Sequence, residues 1–290
     1  MNTQITVSEW LSQYQGIISQ RLEAGEITHK TFTDYRRMMA AAAMYWADRP
    51  LASLKVSDVT QLVNRKVNEG APHAARRLRI NLSSLFLEAQ RHDLLQPGYN
   101  PALAARHPQA RVNTERLTLD EWLRIFRCAS YRAPAYFQNA MLLALVTAQR
   151  PSDLVRLHRD HIRGGCLHIT QFKTGEKIAL PLRLKLNAIS TTLQEAIEVC
   201  DASAWLIHRP DGRPVNTWSL SRWFRLCRQE SVMYGAGSTR PSPFREQRSL
   251  AERLYRVQGI DTRTLLGHRY QHMTDQYNNP RGKEFRELVL

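Results

Sequence analysis

The 290-residue chain contains no run of about eighteen apolar residues, so nothing in it reads as a membrane-spanning helix. Its N-terminus lacks a basic segment leading into an apolar core, which argues against a secretory signal. Cysteine is scarce. The four present (Cys128, Cys166, Cys200, Cys227) are far apart, with neither metal-ligand spacing nor a disulfide framework, and are expected as reduced, mostly buried thiols of a cytoplasmic protein. There is no internal repeat and no low-complexity tract. Acidic residues are the other shortage: 26 Asp and Glu stand against 41 Lys and Arg, a formal charge of +15. An excess that large favours a polyanionic partner, and duplex DNA is the densest common polyanion, although a ribosome-associated or merely basic protein has the same balance.

The chain is long enough for two compact domains, and 43% hydrophobic residues is ordinary for a globular protein. The N-terminal third reads as four helices. Val7, Trp10, Leu11 and Tyr14 recur at helical spacing behind Thr6, a natural N-cap. Thr28 to Trp46 carries Tyr35, Met38, Met39, Ala42 and Tyr45 on one stripe. A third segment runs from Ser57 to about Asn68. A fourth starts near Pro72 and ends by Leu95, with Leu78, Leu82, Leu85, Phe86 and Ala89 on one face. Arg76, Arg77 and Arg79 lie in its first turns, where the helix dipole disfavours positive charge. An anionic ligand such as DNA would compensate; a solvated polar face is the competing reading.

Turn chemistry follows at residues 96–101, and the polar, basic, aperiodic stretch 105–116 reads as an inter-domain linker. The expected division is therefore 1–104, 105–116 and 117–290. Thr118 and Glu121 fit a capping box that opens the second domain. Asn139 to Val146 is a buried helix. Cys166 to Thr170 and Lys177 to Leu182 are two strands around a hairpin turn that holds Lys173. Helices are expected over Leu186–Val199, Ser219–Glu230, Ser249–Gln258 and Asp261–Leu266, with a Gly/Ser/Pro-rich loop at 234–243.

Five fragments carry the chemistry: TAQRPSDLVRL around Arg150, QFKTGEKIALP around Lys173, PFREQRSLAERLY around Arg248, LLGHRY around His268 and DQYNNPRG around Tyr277. In that order they resemble the tyrosine recombinase, or phage integrase, family. The likeness covers the whole second domain and, more loosely, the N-terminal bundle, which is similar to the family's core-DNA-binding (SAM-like) domain. The resemblance implies a mainly α protein with a small β-sheet that closes on double-stranded DNA as a C-shaped clamp.

The implied activity is site-specific recombination through a 3′-phosphotyrosine. Transesterification needs a nucleophile, charge stabilisation on the phosphate and a proton for the departing oxygen. By resemblance Tyr277 attacks phosphorus, Arg150 and Arg248 clamp the non-bridging oxygens, and Lys173 protonates the leaving 5′ oxygen. His268 bonds the phosphate or helps with the tyrosine proton. Guanidinium suits the clamp because its planar fork donates two parallel hydrogen bonds. Asp153, one helical turn beyond Arg150, orients an arginine from behind, or is merely a charge at a helix end. The bond is exchanged rather than hydrolysed, so neither ATP nor another cofactor is implied. No metal is implied either, since two-metal chemistry needs a carboxylate cluster that Asp153 and Glu246 do not make.

Two positions depart from the family. Arg245 stands where a His is usual, and arginine stays protonated and cannot act as a base. Gln247 replaces a customary apolar residue. The tail 281–290 alternates enough for a short strand, which in the family packs on a neighbouring protomer of a tetramer; packing in cis is the alternative. Lambda-type members carry a further arm-binding domain ahead of the bundle, expected to be missing here because the bundle begins within about ten residues of Met1. A role for accessory DNA-bending proteins is left open. The competing functions are a topoisomerase or telomere-resolvase relative with the same cleavage chemistry, and a DNA-binding protein whose catalysis has decayed.

Overall fold

The computed structural model describes residues 5–110, 114–232 and 241–278. They belong to two compact units, Met1–Arg111 and Val112–Leu290. The first is helical: α1 (Val7–Glu23), α2 (His29–Trp46), α3 (Val56–Asn68), α4 (Pro72–Arg91) and the short α5 (Pro101–Ala104). Thr6 caps α1 reciprocally: Glu9 N donates to its Oγ1 at 3.3 Å, and Thr6 N donates to the Glu9 carboxylate at 2.8 Å. Asp58 opens α3, accepting from Lys55 N at 2.7 Å and from both arms of Arg49 at 2.7 and 3.0 Å. Trp10, Tyr14, Ile18, Met38, Leu82 and Phe86 fill the core between these helices.

Tyr45, expected on the apolar stripe of α2, is 41% exposed, with the Arg65 guanidinium 4.3 Å above its ring. Positions three and four beyond Ala42 both fit a helical stripe, and the larger indole of Trp46 takes the core. Two of the three arginines in the first turns of α4 have partners inside the protein. Arg79 donates to the carbonyls of Ala105 at 2.8 Å and Leu103 at 2.7 Å, satisfying the chain after α5, and Arg77 lies 3.5 Å from Asp34. The Arg76 side chain is exposed and makes no ion pair or hydrogen bond among the described residues.

The second unit holds α6 (Leu119–Arg132), α7 (Ala135–Thr147), α8 (Pro151–Leu154), α9 (Leu193–Glu198), α10 (Thr217–Ser231), α11 (Glu246–Val257), α12 (Thr262–Leu266) and α13 (Gln271–Asn278). It also holds β1 (Ile162–Arg163), β2 (Cys166–Thr170), β3 (Lys177–Pro181), β4 (Lys185–Leu186) and β5 (Thr191–Thr192). The strands form an antiparallel β1-β2-β3 sheet and a separate β4-β5 pair. In the hairpin Leu167 opposes Leu180 and Ile169 opposes Ile178, so one face of the sheet is buried against the helices. Helix α7 is apolar on all sides and runs through the centre of this core. The fold is mainly α with a small β-sheet.

The helix expected over Leu186–Val199 starts seven residues later. Ser190 is left-handed (φ 51°), Thr191 and Thr192 pair with β4, and Thr192 caps α9 reciprocally with Glu195. The β-branched pair and the Thr-x-x-Glu box outweigh the apolar periodicity around them. Helix α11 starts earlier than expected, at Glu246, carrying Arg248 inside the helix. Most of the expected 234–243 loop, and the whole 281–290 tail, lie outside the described residues. Among the described residues no helix is long and apolar enough to cross a membrane. Three thiols are buried, and burial pushes Cys200 up to about 11 and Cys227 up to about 12.

Candidate active site

Arg150 and Arg248 both lie at the C-terminal end of α7. That helix stops at Ala148, a non-glycine residue in the left-handed conformation (φ 55°), which turns the chain so that Arg150 immediately precedes Pro151 and α8. Left-handed backbone is unfavourable by about 1 kcal/mol for a residue with a Cβ. It places the Ala148 carbonyl where Arg248 Nη1 donates to it at 2.8 Å. Arg248 Nη2 donates to Leu266 O at 2.6 Å and reaches His268 Nε2 at 3.2 Å. Its Nε–H is buried with no acceptor among the described residues. Burial first, then the charge of Arg150, lowers the Arg248 pKa to about 10, while the Tyr277 phenol acts the other way. Arg248 stays a cation at neutral pH.

His268 is presented by Gly267, the left-handed C-cap of α12 (φ 59°). A Cβ there would lie 2.9 Å from Gln171 Nε2, so glycine is required by space as well as by conformation. His268 is buried, and burial, Arg248 and Arg150 together hold its pKa down to about 4. The ring is neutral near pH 7. Because Nε2 faces a guanidinium donor, the proton belongs on Nδ1, which donates to Thr274 Oγ1 at 2.9 Å.

Tyr277 lies on α13, packed against α11. Its ring centroid is 5.4 Å from that of His268 and 5.8 Å from the Arg248 guanidinium carbon. Three groups hold α13 in this place. Arg116 Nη2 donates to Gln276 O at 2.9 Å, Ser249 Oγ donates to Tyr277 O at 2.9 Å, and Arg256 bridges Glu252 at 2.7 Å to Asp275 at 3.1 Å. Arg116 also reaches Ser249 and Glu246, joining the start of the unit to both helices.

Asp153 is buried. One carboxylate oxygen accepts from Phe172 N at 2.9 Å, and the other stands 4.0 Å from Arg150 Nη1. It fixes the base of the hairpin and faces the arginine with charge, too far for a hydrogen bond. Lys173 occupies the exposed turn beyond β2, closed by Gly175 N donating to Gln171 O at 2.8 Å. Arg245 is exposed at the start of α11, and its side chain makes no hydrogen bond among the described residues. Gln247 satisfies a buried donor, its Oε1 accepting the indole N–H of Trp122 at 2.7 Å. Sequence reasoning passed over Gln149, Gln171, Thr274, Ser249 and Arg116. Each is an ordinary polar residue; Gln149, Gln171, Ser249 and Arg116 meet partners 28 to 160 residues away, and Thr274 meets His268 six residues back. Arg116 also fell in a stretch read as linker. Among the described residues no group of His, Cys, Asp and Glu side chains is placed to hold a metal ion.

This grouping of two arginines, a histidine and a tyrosine around the end of a buried helix defines a class. Residues 115–284 match the phage integrase family, and the chain belongs to that family. It is a tyrosine-type site-specific DNA recombinase. It is 39% identical to the prophage integrase IntE of Escherichia coli K12, over 99% of this chain and 78% of that protein. It is 39% identical to the integrase of Enterobacteria phage P21, over 97% and 76%, and 31% identical to that of Escherichia phage lambda, over 99% and 79%. A lambda integrase fragment, solved as a dimer bound to a COC′ core site, superposes with a TM-score of 0.89 over 99% of this chain and all of that one, at 31% identity. A lambda integrase tetramer bound to a Holliday junction gives the same score, over 99% of this chain and 81% of that one.

Proposed function

We propose that this recombinase cleaves and rejoins core-type DNA sites through Tyr277. The observation that carries this is the tyrosine ring within 6 Å of both His268 and Arg248 in a single chain. The Tyr277 oxygen attacks a backbone phosphorus, a P–O bond to tyrosine forms on the 3′ side, and the bond to the 5′ oxygen breaks. Lys173 gives its proton to that departing oxygen. Its place on an exposed turn suits a group that reaches its target only when DNA is bound.

Arg150 and Arg248 stabilise the charge of the pentacoordinate phosphate, and the unpaired Arg248 Nε–H is a donor for an incoming oxygen. His268 couples substrate binding to activation of the nucleophile. In the free site two guanidinium charges oppose its protonation. A bound phosphate offsets those charges, raises the affinity of the imidazole for a proton, and lets it take the one that Tyr277 releases. Arg245, exposed beside this site, adds a phosphate contact rather than a base. Asp153 orients Arg150 and the hairpin.

Residues 1–104 form the core-DNA-binding domain and 117–290 the catalytic domain, joined through 105–116. Arg76 and Arg77 contact phosphate, while Arg79 buttresses the end of α5. Phosphate contacts dominate affinity and make it steeply salt-dependent. The partner is double-stranded DNA, on which four copies assemble for strand exchange, as the lambda integrase tetramer does on its junction. Substrate and relatives together point to the cytoplasm of a bacterial host.

A nicked suicide duplex, from which the 5′ product is lost, tests the reading. The wild-type protein should form a denaturation-resistant adduct that Tyr277→Phe abolishes. Tight binding with no adduct would establish a DNA-binding protein without catalysis. Exchange between two marked duplexes separates recombination from relaxation.

A further inference from the structure

Gln171 has no solvent-exposed surface, and its side-chain amide makes four hydrogen bonds. Oε1 accepts from Arg150 Nη1 at 2.6 Å and from Thr174 Oγ1 at 3.0 Å. Nε2 donates to Gln149 Oε1 and to Leu266 O, both at 2.9 Å. This network fixes which end of the amide is oxygen, since a nitrogen facing the guanidinium would set donor against donor.

The partners are what matter. The Leu266 carbonyl that Gln171 holds is the one that accepts from Arg248 Nη2. One amide therefore links the two guanidinium groups through a single shared oxygen. Thr174 directly follows Lys173, so the same amide pins the turn that carries the lysine. The Gly267 backbone that leads into His268 packs against it closely enough to exclude a Cβ. Gln149 extends the frame, donating to Leu265 O at 2.9 Å.

We propose that Gln171 is a positioning residue for phosphoryl transfer, which sets Arg150 in register with Arg248 and anchors the Lys173 turn to both. It does not touch the phosphate. A free arginine side chain samples many rotamers, and a clamp that must be ordered during the reaction loses part of its stabilising effect. The Gln171 oxygen holds Arg150 through one N–H and leaves the others for the substrate. The inference rests on the reading of Arg150 and Arg248 as the phosphate clamp.

The test is a double-mutant cycle on the full chain, followed as the single-turnover rate of adduct formation on the nicked duplex. Gln171→Ala should slow the reaction about 10- to 100-fold, the usual loss when the orienting partner of a site residue is removed. Gln171→Met, which fills the space without an acceptor, should behave alike. Added to Arg150→Ala, either change should cost less than about threefold, because a residue that acts through Arg150 has nothing left to position. DNA affinity at fixed salt should stay within about twofold. Equal losses in both backgrounds, no loss at all, or loss of DNA binding by both variants would overturn the proposal. If the wild-type protein itself forms no adduct, the assignment of Tyr277 fails instead.

Discussion

Acidification should destabilise the DNA-free protein through His268. Burial beside two arginines lowers its pKa from 6.5 to about 4. A base whose pKa falls on folding binds fewer protons folded than unfolded. Its contribution to stability is therefore whole above the unfolded value and is lost as pH falls toward the folded one. A 2.5-unit difference corresponds to about 3 kcal/mol once both states are protonated, with about 2 kcal/mol already gone at pH 5. That is a large share of the few to fifteen kcal/mol that hold a typical domain together. Other histidines and the carboxylates titrate in the same range, so the measurement is a difference. Urea unfolding of wild type and His268→Gln is followed from about pH 7 to pH 4.5. The variant loses the Arg248 and Thr274 contacts at every pH, a constant offset, so the slopes carry the information. Wild type should lose about 2 kcal/mol more than the variant across this window. Parallel curves would refute the neutral, charge-opposed imidazole, and with it the coupling of phosphate binding to proton uptake.

The Gln247–Trp122 pair should behave as a buried hydrogen bond. Gln247→Leu should lower stability by about 1–3 kcal/mol by orphaning the indole N–H, and adding Trp122→Phe should recover part of that loss in thermal unfolding. Arg116→Ala removes charged hydrogen bonds that hold α13, together worth about 1.5–3 kcal/mol. Adduct formation should slow by about tenfold or more while DNA affinity holds, and proteolysis near residue 277 should quicken. An unchanged rate would show that α13 docks without Arg116.

Much of this protein was legible in its sequence because the signals are local. The N-cap at Thr6, the capping box at Thr118, the stripe of α4 and the alternation of the β2-β3 hairpin each rest on residues within a few positions of one another. Where local rules competed, the reading failed: at Tyr45 against Trp46, and at Thr192, whose cap decided where α9 starts. Arg150, Lys173, Arg248, His268 and Tyr277 stood out because their residue types and order carry a recognisable chemistry.

Sequence alone thus determined the helical class and the basic character and singled out the candidate reacting groups, since each depends on composition, on near neighbours or on the order of short motifs. Tertiary structure decided what those groups do to one another. Gln171 becomes a hub only because Arg150 and Leu266, 21 and 95 residues away, meet at its amide. His268 stays neutral well into the acid range only because folding withdraws it from water beside two cations. Desolvation and long-range hydrogen bonding depend on which distant segments share a cavity, and no periodicity in the chain encodes that.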